Sequence, residues 1–102
     1  MEEYKMFTSK QRSHLRSLAS TLKPIAQVGK EGISENLVAS LSDALECHEL
    51  IKVNLLPTAG EDGDNLALNL ADLLGAEVVT VIVRKAVFYR RSKKKDIEHI
   101  EF

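Results

Sequence analysis

Apolar residues recur at helical spacing in three stretches of this chain and follow strand patterns in four others. Leu15, Leu18, Ala19 and Leu22 share one helical face behind Thr8, which with Gln11 makes a capping box. Lys23-Pro24 ends that helix, because the residue before a proline is pushed out of the α region. The short apolar run Ile25-Ala26-Gln27-Val28 leads into Gly29-Lys30-Glu31-Gly32, and Ser34 then opens a second helix as its N-cap. Ile33 and Val38 are placed as a hydrophobic staple, and Leu37, Val38, Leu41, Ala44 and Leu45 form the stripe to be buried.

From Leu50 to Leu56, Ile51, Val53 and Leu55 alternate with Lys52 and Asn54, as in a strand with one wetter face, until Pro57 closes it. From Asn65 on, Leu66, Leu70, Leu73 and Leu74 mark a third helix that Gly75 terminates at C′. Val78 to Val83 lacks alternation, which predicts a central strand covered on both faces. Lys85 to Arg91 reads as its antiparallel partner, turning near Val83-Arg84-Lys85. The order is α-β-α-β-α-β-β. Two strand-helix-strand units imply right-handed crossovers and parallel pairings, and the antiparallel last strand completes a mixed four-stranded sheet packed by three helices, an α/β fold.

Length fits a single domain over residues 1–102, with a hydrophobic fraction of 44% that is ordinary for a globular core. Cys47 stands alone, so no disulfide framework is expected and the reducing cytoplasm is the natural compartment. No apolar stretch approaches the ~20 residues of a membrane helix, and no signal-peptide core is read at the N-terminus.

Charge changes the picture more than composition does. The net charge is −1, yet the charges are segregated along the chain. Lys5, Lys10, Arg12, Arg16, Lys23 and Lys30 dominate residues 1–30, and Arg84, Lys85, Arg90, Arg91, Lys93, Lys94 and Lys95 dominate residues 84–102. Between them, residues 31–83 hold ten acidic residues and one basic residue, Lys52. If the two basic ends meet, one face is positive and the other negative, an electrostatic footprint for nucleic acid; solvated surface is the plainer alternative.

A glycine-flanked loop before a helix exposes backbone N–H groups, which suits phosphate, and Lys30 adds a positive charge. The same spacing is also met by a turn that only needs φ > 0. Glu61-Asp62-Gly63-Asp64 lacks the continuation of a calcium loop and reads as an acidic loop and helix cap. His14, His48 and His99 are scattered, Cys47 adjoins His48 without metal-ligand spacing, and no P-loop is present. Neither catalysis, cofactor nor metal is expected.

Taken in order, Thr8-Ser9-Lys10-Gln11-Arg12, Leu22-Lys23-Pro24-Ile25, Gln27 to Ser34, Leu50-Ile51-Lys52-Val53, Gly75 to Val79 and Arg84 to Arg90 resemble the CRM domain, an RNA-binding module. The resemblance covers about residues 7–93, leaving 94–102 as a C-terminal tail, and a free-standing copy is similar to the bacterial YhbY type. It implies a compact α/β fold similar to the C-terminal domain of translation initiation factor three, RNA binding, and association with large ribosomal subunit precursors. It also implies that Gly29, Lys30, Glu31 and Gly32 form a G-x-x-G loop similar in role to that of KH domains. Glu31 replaces a glycine common third in that loop, Val83 a glycine common before the hairpin turn, and Arg91 a frequent proline.

The expected RNA surface combines this loop with Lys10, Arg12, Arg16 and Lys23 of the first helix and Arg84, Lys85, Arg90 and Arg91 of the final hairpin. Phe88 and Tyr89 fall on opposite faces of a strand, with Phe88 assigned to the core and Tyr89 open to either core packing or base stacking. Structured RNA, read by shape and backbone, is the expected partner of a monomeric protein. The alternative is an adaptor whose acidic helical face engages a basic ribosomal protein or assembly factor.

Overall fold

The computed structural model describes residues 8–57 and 62–94, together with Ile97 and Ile100. The expected order of elements is found: α1 (Ser9–Ala19), β1 (Ala26–Val28), α2 (Glu35–His48), β2 (Leu50–Leu55), α3 (Gly63–Leu74), β3 (Glu77–Ile82) and β4 (Lys85–Tyr89). Local chemistry sets most of the boundaries. Thr8 and Gln11 form the capping box in full, each side chain accepting the other's backbone N–H, at 3.1 and 3.0 Å. The Ser34 hydroxyl accepts the Leu37 N–H, and Gly75, at φ +64, lets its own N–H and that of Ala76 satisfy the carbonyls of Asp72 and Ala71. Of the acidic loop read from the sequence, Glu61 lies outside the described residues, while Asp62 is the α3 N-cap without a side-chain capping bond.

The sheet runs β1-β2-β4-β3. β1 and β2 pair in parallel, whereas β4 lies between β2 and β3 and is antiparallel to both. Strands β2 and β3 therefore point the same way without touching, and the second parallel pairing expected from the sequence does not form. β3 is an edge strand, not the central one that its apolar run predicts. β4 pairs between β2 and β3, and the missing alternation comes instead from a bulge between Val78 and Thr80. Val78 and Val81 pack with one core and Val79 with the other. β4 takes the central place, and four of its residues, Ala86 to Tyr89, are buried.

Two cores follow from this layering. α2 and α3 cover one sheet face, where Leu41, Leu45, Leu66 and Leu70 meet Val28, Ile51, Val53, Leu55 and Phe88. α1 alone covers the other, where Leu15 and Ala19 meet Leu50, Val79, Val87 and Tyr89. One short helix cannot cover a four-stranded sheet. Leu18 and Leu22, expected in its buried stripe, stay partly exposed at the edge of that layer, and the helix ends at Ala19 rather than at Lys23.

The C-terminal segment is tied down by α2. The buried Glu49 carboxylate accepts the backbone N–H groups of Ser92 and Ile100, both at 2.7 Å, and Ile100 packs on the smaller core. Glu46 accepts the Lys93 N–H and pairs with Arg90 at 3.1 Å. That backbone bond, aided by the charge of Arg90 and by Ser92, holds the Glu46 carboxyl below its ordinary value against the opposing effect of burial. Lys95, Asp96, Glu98, His99, Glu101 and Phe102 of the expected tail lie outside the described residues.

Candidate nucleic-acid interface

The C-terminal ends of β1, β2 and β3 and the start of β4 lie at one end of the sheet, so the Gly29–Gly32 loop and the Val83-Arg84 turn share that end. In the loop, Lys30 and Glu31 are exposed, the Gly32 N–H donates to the Gly29 carbonyl at 2.9 Å, and Gly32 takes φ +73. A Cβ on Gly32 would meet open space, so only the backbone conformation calls for glycine there. The loop's outer side is therefore accessible to a backbone approaching from solvent.

The hairpin keeps its two-residue turn. Val83 and Arg84 both take positive φ, +48 and +62, as a type I′ turn requires, although neither is a residue that favours it. Arg84 compensates through its side chain: Nε donates to the Leu55 carbonyl at 2.5 Å and Nη2 to that of Leu56 at 3.0 Å. The turn is thereby fastened to the end of β2.

Register joins the two features. Gln27 pairs with Asn54, Asn54 with Lys85, and Lys85 with Ile82, a row that crosses the sheet from the loop to the hairpin. One step further from that end, Lys52 lies opposite Val87. Lys52 and Lys85 line a groove with Arg16 of α1 and Ser20 at its C-cap. On the far side of α1, Lys23 and Lys52 border a second groove with Leu18, Leu22 and Ile25. Lys52 thus faces both grooves. As the single cation of an acidic stretch it does not stand out by charge; the alternation of β2, which sets Lys52 and Asn54 on the wetter face, is the signal that places it.

The expected RNA surface divides into two groups. Lys10, Arg16, Lys23, Lys30, Lys85 and Arg91 are exposed, as is Glu31 beside them. Arg12, Arg84, Arg90 and Tyr89 are instead built into the fold. Arg12 Nη1 donates to the carbonyls of Val78 and Val79 at the β3 bulge, at 3.0 and 2.6 Å. Arg90 donates through Nη1 to the Leu74 carbonyl at the end of α3 and through Nη2 to Ser42 and Glu46. Tyr89 is buried in the smaller core, and Phe88 in the larger, because the central strand β4 is covered on both faces. Burial, reinforced by the charge of Glu49 and only partly opposed by Arg91, raises the Tyr89 phenol above its ordinary pKa.

Exposed Glu35, Asp43, Asp64 and Asp72 all lie on α2 and α3, on the other side of the sheet from α1. Apart from Lys93 and Lys94, which lie against Glu46 and Cys47 of α2, the segregation along the sequence thus becomes a segregation across the sheet. Among the described residues, no group of three or more His, Cys, Asp or Glu side chains is arranged to hold a metal ion, and no helix is long and apolar enough to cross a membrane.

Comparison with known proteins gives the same architecture and a consistent set of relatives. The solution structure of the hypothetical Staphylococcus aureus protein SAV1595, described as a candidate RNA-binding protein, matches with a TM-score of 0.70 and 41% identity, covering 93% of this chain and 100% of that one. A Bacillus subtilis protein named "Probable RNA-binding protein YqeI" is 42% identical over 91% of this chain and 98% of its own length. "Probable RNA-binding protein PA4753" of Pseudomonas aeruginosa is 33% identical over 85% of this chain and 84% of its own length. The family model for the CRS1 / YhbY (CRM) domain matches residues 7–90, from just before the α1 capping box to the end of β4, and the chain belongs to that family.

Proposed function

We propose that this protein binds RNA, and that its partner is ribosomal RNA of large-subunit precursors, whose maturation it assists in the cytoplasm. The observation that carries the reading is the separation of charge across the sheet: Arg16, Lys23, Lys52 and Lys85 on the α1 side, acidic residues on α2 and α3. A cationic face attracts a phosphate backbone, while an acidic opposite face limits adhesion in other orientations. The names of the relatives support an RNA partner.

In this reading, the G-x-x-G loop brings Gly29 and Gly32 up to the phosphates and Lys30 supplies a mobile charge, with Lys10 and Arg91 extending the surface. Contacts of this kind position RNA rather than read its sequence. The measurement is a salt series of binding to purified large-subunit ribosomal RNA, with transfer RNA and duplex DNA as competitors. The expected result is selective binding that weakens as salt rises, by roughly 0.7 log units per log unit of salt for each single-strand phosphate contact. Equal, weak binding to all three nucleic acids would remove the ribosomal reading. A folded Gly29→Asp/Lys30→Glu variant with unchanged affinity would remove the loop from the interface.

A protein partner is the second reading. It is favoured by Leu68 and Leu73, which stand 61% and 60% exposed on the acidic helix α3. The partner would be a basic ribosomal protein or assembly factor, and RNA affinity would then be weak and nearly independent of salt.

A further inference from the structure

We propose, resting on the RNA-binding reading above, that the groove between α1 and the β3–β4 hairpin receives one extruded nucleobase, so that the protein prefers an RNA helix interrupted by an unpaired nucleotide. The groove has a volume of about 260 Å³, and its lining is mainly apolar, with Ala19, Val87 and Ile82 among the residues that form it. Arg16, Lys52 and Lys85 stand in the same lining, and among the described residues none of the three makes an ion pair. Apolar surface ringed by free cations fits a ligand that is flat and weakly polar in one part and anionic in the parts on either side. A nucleotide within an RNA strand has that chemistry: the base enters, and its two flanking phosphates meet the cations.

Exposure at the groove's mouth points the same way. Ile82, at the end of the edge strand β3, is 57% exposed, and Val83, in the turn that follows, is 84% exposed. Base binding here needs no aromatic platform, since aliphatic walls and the planar Arg16 guanidinium both pack against a base face. The cost of extrusion is least for a nucleotide that is already unpaired, which makes a bulge the favoured substrate feature. An uninterrupted helix reaches the same cations but leaves the groove unfilled.

The test uses an RNA hairpin whose stem carries a single bulged 2-aminopurine, beside the same stem without the bulge. The expected result is roughly tenfold tighter binding of the bulged RNA, with a change in 2-aminopurine fluorescence on binding. Thr80→Trp and Ser20→Phe fill the groove from its β3 and α1 walls respectively. Each is expected to bring the bulged RNA down to the affinity of the plain stem, which itself moves by less than about twofold. Equal binding of the two RNAs by the natural protein overturns the groove proposal. So does discrimination that survives in either filled variant whose circular dichroism matches the parent. Failure to bind either hairpin while large-subunit ribosomal RNA is still bound also overturns the groove proposal, and failure to bind that RNA as well overturns the RNA-binding reading itself.

Discussion

Glu49 holds Ile100: its buried carboxylate accepts the Ile100 N–H through Oε1, while Oε2 accepts that of Ser92. Glu49 ends α2 at φ +65, so the left-handed cap turns the chain into β2 and places the carboxylate where the returning C-terminal segment passes. A buried anion with two short backbone bonds is a fastening between α2 and that segment. Glu49→Ala should lower stability by about 2–3 kcal/mol, since bonds to a charged group are worth more than neutral ones. Hydrogen exchange should show the Ser92 and Ile100 amides losing protection together, ahead of the sheet. Unchanged protection at both would remove the fastening.

Arginines and lysines should part company under mutation. Arg84 and Arg90 each donate to backbone carbonyls of neighbouring elements, whereas Lys52 and Lys85 line an open groove. Arg84→Ala leaves two carbonyls without that donor and should cost about 1–3 kcal/mol in stability. Lys52→Ala and Lys85→Ala should alter stability by less than about 0.5 kcal/mol. On the RNA-binding reading they weaken binding, and each reduces the salt slope by about 1. Denaturation midpoints and salt-dependent titrations of the three variants check the division.

Val83 stands at φ +48 with its side chain in solvent. A β-branched residue in the left-handed region is strained by roughly 1–2 kcal/mol, and no packing offsets it. Asn accepts that conformation far more readily. Val83→Asn should therefore stabilise the protein by about 1 kcal/mol, seen as a higher denaturant midpoint with an unchanged slope. A lower midpoint would mean that Val83 contributes packing not visible in its exposure.

Elements were legible in this chain where chemistry is local. Thr8 with Gln11, Ser34 and Gly75 each act within a single turn of chain, and each sets the boundary its sequence predicts. Strand order was not legible, because it depends on which faces meet. The apolar run from Val78 to Val83 reads as doubly covered, but a bulge sends Val79 and Val81 to different cores in an edge strand. The site divides in the same way. Charge segregation gave the face, yet sequence does not distinguish an arginine that reaches a carbonyl, such as Arg12, from one that reaches solvent, such as Arg16. Lys52 needed the strand's alternation to be weighed above the acidity of its neighbours.

Tyr89 should contribute to the loss of stability at alkaline pH. Its phenol is buried beneath α1 and near the Glu49 charge, and both raise its pKa, so the folded state holds the phenolic proton more tightly than the unfolded chain does. This contribution is fully present below the ordinary tyrosine pKa of about 10 and is lost as pH rises through the higher folded value. Tyr89→Phe should be less steeply destabilised above about pH 10 than the natural protein, although it loses the hydroxyl and its interaction with Arg91 at every pH. The comparison also separates tyrosine from lysine titration, since the lysines are common to both proteins. Parallel stability curves above that pH would mean that the phenol titrates as it does in the unfolded chain, and that the Glu49 charge does not reach it.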